Sequence, residues 1–350
     1  MTPWRMYADP AVLDPDRSAK ELHRAGRLLR GDLPFGEVLL LPDDDVPATT
    51  GLVVPLVARD DDDTVGVVET ATGRSVLDVV DVDDSLPGPW EWDVMRLARP
   101  LGKRSLVRAF AAGYQEGVAT MAEQPLHARH SRASEVSARL ARGLAGASPA
   151  AAEARLVKDS AAPRLRPDEV ARRWQTSVAA PLSDAAREWA QYRETVTEPH
   201  ATLLAHYAVI EALGAEDGRL MVLAGRGRGD VLLLEAMPVG PSTLEPRVGA
   251  WRAGSDIQRV LLSRETVPLA PQDMLGWSTS PDGAVARVWA RARALPRKGA
   301  GALAGARRRA HSMGVVLGLV HGIGGDAHML SGYLGQSERF GDALADAVDA

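Results

Sequence analysis

The sequence predicts an α+β protein in which two sheet-forming segments are separated by helices. Three patterns carry this. Short apolar runs bounded by turn residues cluster before residue 81. A stripe at Leu106, Phe110, Tyr114, Val118 and Met121 steps by four, four, four and three, which is a helix facing a core. Strand-period patterns then return after residue 218. At 350 residues, two domains or lobes are expected. The boundaries read as 1–125 (small sheet and acidic loops), 126–213 (helical), 214–295 (sheet) and 296–350 (helical).

In chain order, Leu22, Ala25, Leu28 and Leu29 predict a helix that Gly31-Asp32-Leu33-Pro34 ends. Val38 to Leu41 and Leu52 to Val57 are strand candidates. Val65 to Val68 and Ser75 to Val80 flank Thr70-Ala71-Thr72-Gly73 as a hairpin. Trp92, Met95 and Arg99 mark a short helix closed by Pro100 and Gly102. Ser105 is the expected N-cap of the helix that follows. Helices are expected over Ser134–Leu144, Asp168–Ala179, Ser183–Thr195 and Pro199–Leu213. Strands are expected at Arg219–Ala224 and Asp230–Ala236, joined by Gly225-Arg226-Gly227-Arg228-Gly229, and at Ile257–Ser263 and Ala284–Ala292. Helices at Arg307–Val320 and Asp342–Val348 close the chain.

Composition narrows the chemistry. The absence of cysteine excludes disulfides, thiolate nucleophiles and Cys-ligated metals. No apolar run reaches the roughly 18 residues of a membrane span, and Met1-Thr2-Pro3-Trp4-Arg5 does not open a secretory signal. The expectation is a cytoplasmic protein without a membrane partner. The net charge of −5 is uneven: residues 1–93 hold 20 acids against 8 Lys/Arg, leaving the rest at +7. Arg287 to Arg309 contains eight basic residues and no acid. A solvated basic face is the simplest reading, and Arg307, Arg308 and Arg309 are the candidate surface for an anionic small molecule or a protein partner. Nucleic-acid binding is not expected of an acidic chain without a recognition motif.

Asp81-Val82-Asp83-Asp84 follows a strand, where carboxylates one apart suit Mg²⁺. The string also matches the Asp-x-Asp-Asp acid of one terpene-cyclase class, and Asp60 to Asp63 form an aspartate-rich run. Among the histidines, His127 and His130 lack a third ligand, and His206 reads as a core residue of a helix. His321 and His328 flank Gly322-Ile323-Gly324-Gly325-Asp326, which fits either an anion-binding backbone turn or a helix terminus.

A longer stretch is more specific. Val80 to Leu97, with Pro87-Gly88-Pro89-Trp90-Glu91-Trp92-Asp93 at its centre, resembles the hallmark of the bacterial domain-of-unknown-function family 2252. Asp273-Met274-Leu275-Gly276-Trp277 is similar to that family's D-x-x-L-G-W. Gly314 through His321 to Gly325-Asp326, then Gly332-Tyr333-Leu334-Gly335, resembles its C-terminal motifs. The family in turn resembles protein kinases and aminoglycoside phosphotransferases. The resemblance implies a kinase-like two-lobed architecture, permuted so that the catalytic-loop-like segment comes first and the small-lobe-like sheet later.

It also implies chemistry that this chain departs from. Aligned without gaps back from Asp78, the G-D-x-H-x-x-N positions fall on residues 58–64, so aspartate, histidine and asparagine become Arg59, Asp61 and Thr64. A shift of one or two residues puts Asp60 or Asp61 in the loop aspartate's place. The lysine of the family's V-K-E-A strand becomes Leu234. Asp81 and Asp83 remain as metal ligands. Phosphoryl transfer rests on charge neutralisation by metal and lysine, so the lost lysine and the added acids disfavour ATP unless Mg²⁺ intervenes. The expectation is therefore a degenerate kinase-like protein without ordinary ATP-dependent phosphotransfer, acting as a binding or scaffold protein or with a repurposed pocket in specialised metabolism. Two alternatives stand beside it. One is a Mg²⁺-dependent phosphotransferase using Asp60 or Asp61 as base, Asp81 and Asp83 on metal, and an arginine in place of the lysine. The other is Asp-assisted isoprenoid chemistry at Asp81 to Asp84.

Overall fold

The computed structural model of the chain describes residues 18–35, 39, 50–57, 64–70, 75–80, 82–144, 182–215, 218–225, 231–249, 254–270, 272–292 and 305–349. Asp60, Asp61, Asp81, Val38 and the expected helix Asp168–Ala179 lie outside these residues.

Helix α1 (Ala19–Asp32) starts at Ser18, whose side chain accepts from the Glu21 amide while Glu21 caps back, a reciprocal capping box. Strand β1 (Val53–Pro55) pairs antiparallel with β4 (Pro87–Pro89), and β2 (Val65–Glu69) pairs with β3 (Ser75–Val79), the expected hairpin. Helix α2 (Trp90–Ala98) leaves β4 directly. A 3₁₀ turn over Arg99–Leu101 and a left-handed Gly102 end it, as Pro100 and Gly102 predicted.

Helix α3 (Arg104–Ala122) is the predicted stripe, and Phe110, Tyr114, Val118 and Met121 are fully buried. Its N-cap is Lys103, with no side-chain cap bond, so Ser105 sits inside the first turn instead. Helix α4 (Arg129–Leu144) begins five residues earlier than its apolar pattern, and α5 (Leu182–Thr195) matches its expectation.

Two expected elements change type. The helix read over Pro199–Leu213 is a short helix, α6 (Glu198–Leu204), followed by strand β5 (Ala208–Ala215). His206 lies in the intervening turn, exposed, and is not a core residue. The strand read at Ile257–Ser263 belongs to helix α8 (Asp256–Thr266), which a second capping box, Ser255 with Gln258, starts. The single-turn α7 (Glu245–Val248) precedes it.

Strands β6 (Gly218–Ala224), β7 (Val231–Pro238), β8 (Gly276–Thr279) and β9 (Ala286–Arg291) join β5 in one antiparallel sheet of order β5-β6-β7-β9-β8. The Asp-x-x-Leu-Gly-Trp segment ties this sheet to α5. Tyr192 donates its hydroxyl to the Met274 carbonyl at 2.7 Å, and Thr195 Oγ1 bridges the amide and carbonyl of Trp277 at 2.8 and 2.7 Å. A Cβ at Gly276 would press on the Tyr192 ring, which itself stacks on Trp289 at 4.9 Å. Arg287 departs from the solvated basic face: it is buried and paired at 3.1 Å with the fully buried Glu188. Strand β9 is buried on both faces, which the Arg-rich alternation concealed.

Helices α9 (Ala306–Gly324), α10 (Ala327–Leu334) and α11 (Arg339–Asp349) complete the chain. The main core lies where α3 and α9 meet β1, β4, α2 and α10, and a smaller core backs the five-stranded sheet. No helix among the described residues is long and apolar enough to cross a membrane.

Candidate functional site

The Pro-Gly-Pro-Trp-Glu-Trp-Asp motif is a strand turning directly into a helix, and all four residues Trp90 to Asp93 are buried. Two carboxylates in a buried first turn need partners, because an uncompensated interior charge is costly. The helix N-terminus helps, since its orphan amides favour negative charge. The rest comes from distant segments.

Asp93 Oδ2 accepts the Val57 amide at 2.6 Å and lies 3.1 Å from His321 Nε2; His321 Nδ1 is 2.8 Å from the Tyr114 hydroxyl. Burial, then the charges of Glu91 and Asp93, push the Tyr114 hydroxyl pKa upward, so this phenol stays a donor. The tautomer that satisfies every group has Tyr114 donating to Nδ1 and Nε2–H donating to Asp93. Trp90 stacks on Tyr114 with ring centroids 5.8 Å apart and meets Tyr333 edge-on at 5.9 Å. The hallmark motif, the C-terminal histidine and the Gly-Tyr-Leu-Gly motif thus converge on one buried polar centre. It also grips Val57, the last described residue before the acidic run. Asp93 and His321 are separated by 228 residues, so no local pattern could pair them.

Glu91 makes a second clamp. Its Oε1 accepts both the amide and the hydroxyl of Thr50 at 2.8 Å, and Trp90 Nε1 donates to the same hydroxyl at 2.9 Å. Its Oε2 is buried with no hydrogen-bond partner among the described residues. Burial outweighs the Thr50 bonds and raises the Glu91 pKa from 4.5 to about 7. A carboxyl whose folded pKa exceeds its unfolded one contributes stability that is fully present below pH 4.5 and lost as pH rises through about 7. At about 1.4 kcal/mol per unit, the loss is roughly 3 kcal/mol above neutrality. Glu91→Gln keeps an acceptor for Thr50 and cannot ionise, so chemical unfolding from pH 5 to pH 8 is expected to show a flatter stability profile for the variant. Parallel profiles would contradict this assignment.

The candidate metal residue Asp83 lies in the turn after β3, 27% exposed. Arg264 on α8 holds it bidentately, Nε to Oδ1 at 2.6 Å and Nη2 to Oδ2 at 2.5 Å. Arg259 Nη1 donates to the Asp83 carbonyl and Nη2 to that of Gly240. The neighbouring Asp84 accepts the amide and hydroxyl of Thr243, while Ser242 donates to its carbonyl at 2.7 Å. Asp78, fully buried on β3, accepts the amides of Val79, Leu269 and Ala270 and pins the segment after α8. The aspartates thus knit β3 and its turn to α8 and the segments flanking it. Among the described residues no three His, Asp or Glu side chains group as a metal site.

The Gly322 to Asp326 cluster resolves as a helix terminus. Asp326 caps α10, its Oδ1 accepting the amides of His328 and Met329 at 3.0 Å. The carboxylate thereby takes the amides an external anion would need. Gly324 and Gly325 lie where a Cβ would meet Pro55 and Val54.

Arg307 and Arg308 are exposed in the first turn of α9, with Arg309 partly covered. The first two line a cavity of about 1030 Å³ between that turn, one face of α3 and the α10–α11 connection. Sequence reasoning found these cations but not the cavity, whose walls come from three separated segments.

These features define an α+β protein built around a buried Asp–His–Tyr centre, with its retained acidic motif engaged by arginines. The family described as "Uncharacterized protein conserved in bacteria (DUF2252)" matches residues 64–350, and the chain belongs to it. Neither the curated proteins nor the solved structures contain a match.

Proposed function

We propose that this protein is a degenerate kinase-like member of its family that binds a partner or an anionic ligand and does not transfer phosphate from ATP. The observation that carries the reading is the bidentate Asp83–Arg264 pair. A guanidinium already neutralises the carboxylate that the metal motif would offer to Mg²⁺, and Arg–carboxylate forks are among the strongest ionic hydrogen bonds. Leu234, at the position of the phosphate-binding lysine, is fully buried in the smaller core with Tyr192 and Trp289. Both observations support a reading in which this site does not hold Mg²⁺–ATP.

A helix-rich segment followed by a five-stranded antiparallel sheet supports the permuted two-lobed order, though fold analogy alone carries no activity. The phosphotransferase alternative would require Asp83 to exchange Arg264 for metal. The isoprenoid alternative would require the same of Asp83 and the release of Asp84 from Thr243. With Mg²⁺ present, phosphate release from ATP is expected to run at the protein-free rate. Turnover that disappears in a folded Asp83→Asn variant would overturn the reading.

A further inference from the structure

We infer that the cavity at the start of α9 is a docking groove for an acidic peptide segment of a partner protein, an inference that rests on the binding role proposed above. From α3 its lining includes Ala109 and the exposed Ala112 beside Arg108 and Gln115. The start of α9 contributes Arg307 and Arg308, and the α10–α11 connection and the start of α11 contribute Ser337, Glu338 and Gly341.

The charges decide the class of ligand. Of the cations lining the groove, Arg108 is neutralised by Asp342 at 2.6 Å. Arg307 and Arg308 have no ion-pair partner among the described residues, and Glu338 is the acid that lines the groove with them. The unbalanced charge is positive, so a complementary ligand is acidic.

Geometry separates a peptide from a small anion. Adjacent helix positions diverge by roughly 100°, so Arg307 and Arg308 do not converge on one phosphate. Carboxylates spaced along an extended ligand suit two cations so placed on the helix. The volume of about 1030 Å³ lies at the upper end of the roughly 300–1,000 Å³ of ordinary ligand pockets. The exposed Ala112 in the lining gives such a segment an apolar contact between its charges. Gln115 Nε2 donates to the carbonyls of Leu334, Gly335 and Ser337 and so ties the α10–α11 connection to α3.

The test is fluorescence anisotropy of a labelled peptide alternating glutamate and alanine, titrated with the full chain. Saturable binding is expected, weakening with salt and by about tenfold or more in Arg307→Glu/Arg308→Glu. Both side chains are exposed, so the double variant is expected to keep its melting temperature. The same peptide with lysine for glutamate is expected not to bind. Absent binding, or equal binding by the double variant, would overturn the proposal. So would displacement of the peptide by inorganic phosphate at matching concentration, which would mark a small-anion site. Self-association of the chain that the double variant abolishes would assign the groove to a second copy and overturn it too. Titrating Mg²⁺–ATP into the same samples keeps the two readings apart: nucleotide binding with the peptide result intact overturns the proposed function alone, and peptide failure without nucleotide binding overturns the groove alone.

Discussion

His321→Ala is expected to cost about 3–5 kcal/mol of folding stability, the combined cost of leaving a buried carboxylate and a buried hydroxyl each short of a partner. His321 and Asp93 are both fully buried. Without the imidazole, the Asp93 carboxylate loses its histidine donor and the Tyr114 hydroxyl loses its acceptor. Each buried polar group left unsatisfied costs about 1–3 kcal/mol. Against a typical total of about 5–15 kcal/mol, the variant would stand near the threshold of folding. Urea unfolding measures the loss. Combining His321→Ala with Tyr114→Phe in a double-mutant cycle is expected to show strong non-additivity, because the second change removes the orphaned hydroxyl. A loss below about 1 kcal/mol, inside the range of an ordinary hydrogen bond, would show that the centre does not act as a unit.

Gly314→Ala is the second large effect, and two opposed terms meet in it. Alanine in place of glycine gains about 1 kcal/mol of helix propensity. The gain is overwhelmed by contact between α3 and α9, whose backbones touch through Gly113 and Gly117 on one helix and Gly314 and Gly318 on the other. A Cβ at Gly314 would land on the Phe110 carbonyl oxygen and within 2.8 Å of the Tyr114 amide. Those atoms are helix backbone and cannot rotate away, so the helices must separate and loosen the core between them. Overpacking of this kind costs about 1–3 kcal/mol and occasionally more. A net loss of about 2 kcal/mol or more is expected. Gly31→Ala is the internal control, since a Cβ there meets nothing within 4 Å, and it is expected to be neutral or to gain up to about 1 kcal/mol. Thermal or urea unfolding of the pair checks both signs, and a stabilised Gly314→Ala would contradict the close approach.

These two centres mark what local sequence carries and what it does not. The α3 stripe, the β2–β3 hairpin and the closing helices were legible because one residue set satisfies one period. The strand β5 was not, because Ala208, Glu211, Ala212 and Leu213 favour helix by propensity and only pairing with β6 makes them extended. The α8 error is different: Ser255 and Gln258 were a readable capping box, outweighed by the apolar run from Val260 to Leu262. Arg287 was misread because alternating charge looks solvated, whereas its partner Glu188 lies on another element. The same limit applies to the site. Motif spacing singled out the Trp90–Asp93 segment and the glycines around His321, yet their contact closes only in three dimensions. Asp83 is legible as a candidate metal ligand from the acids beside it in sequence, but its contact with an arginine is not. Its bidentate partner, Arg264, lies 181 residues away.

Calorimetric titration of ATP into the full chain, with and without Mg²⁺ and repeated on Asp83→Asn, tests the central claim most directly. The account predicts no heat of binding at millimolar nucleotide and no rise in melting temperature, the independent sign of a ligand that favours the native state. Mg²⁺-dependent binding that Asp83→Asn abolishes would contradict it and favour the phosphotransferase reading.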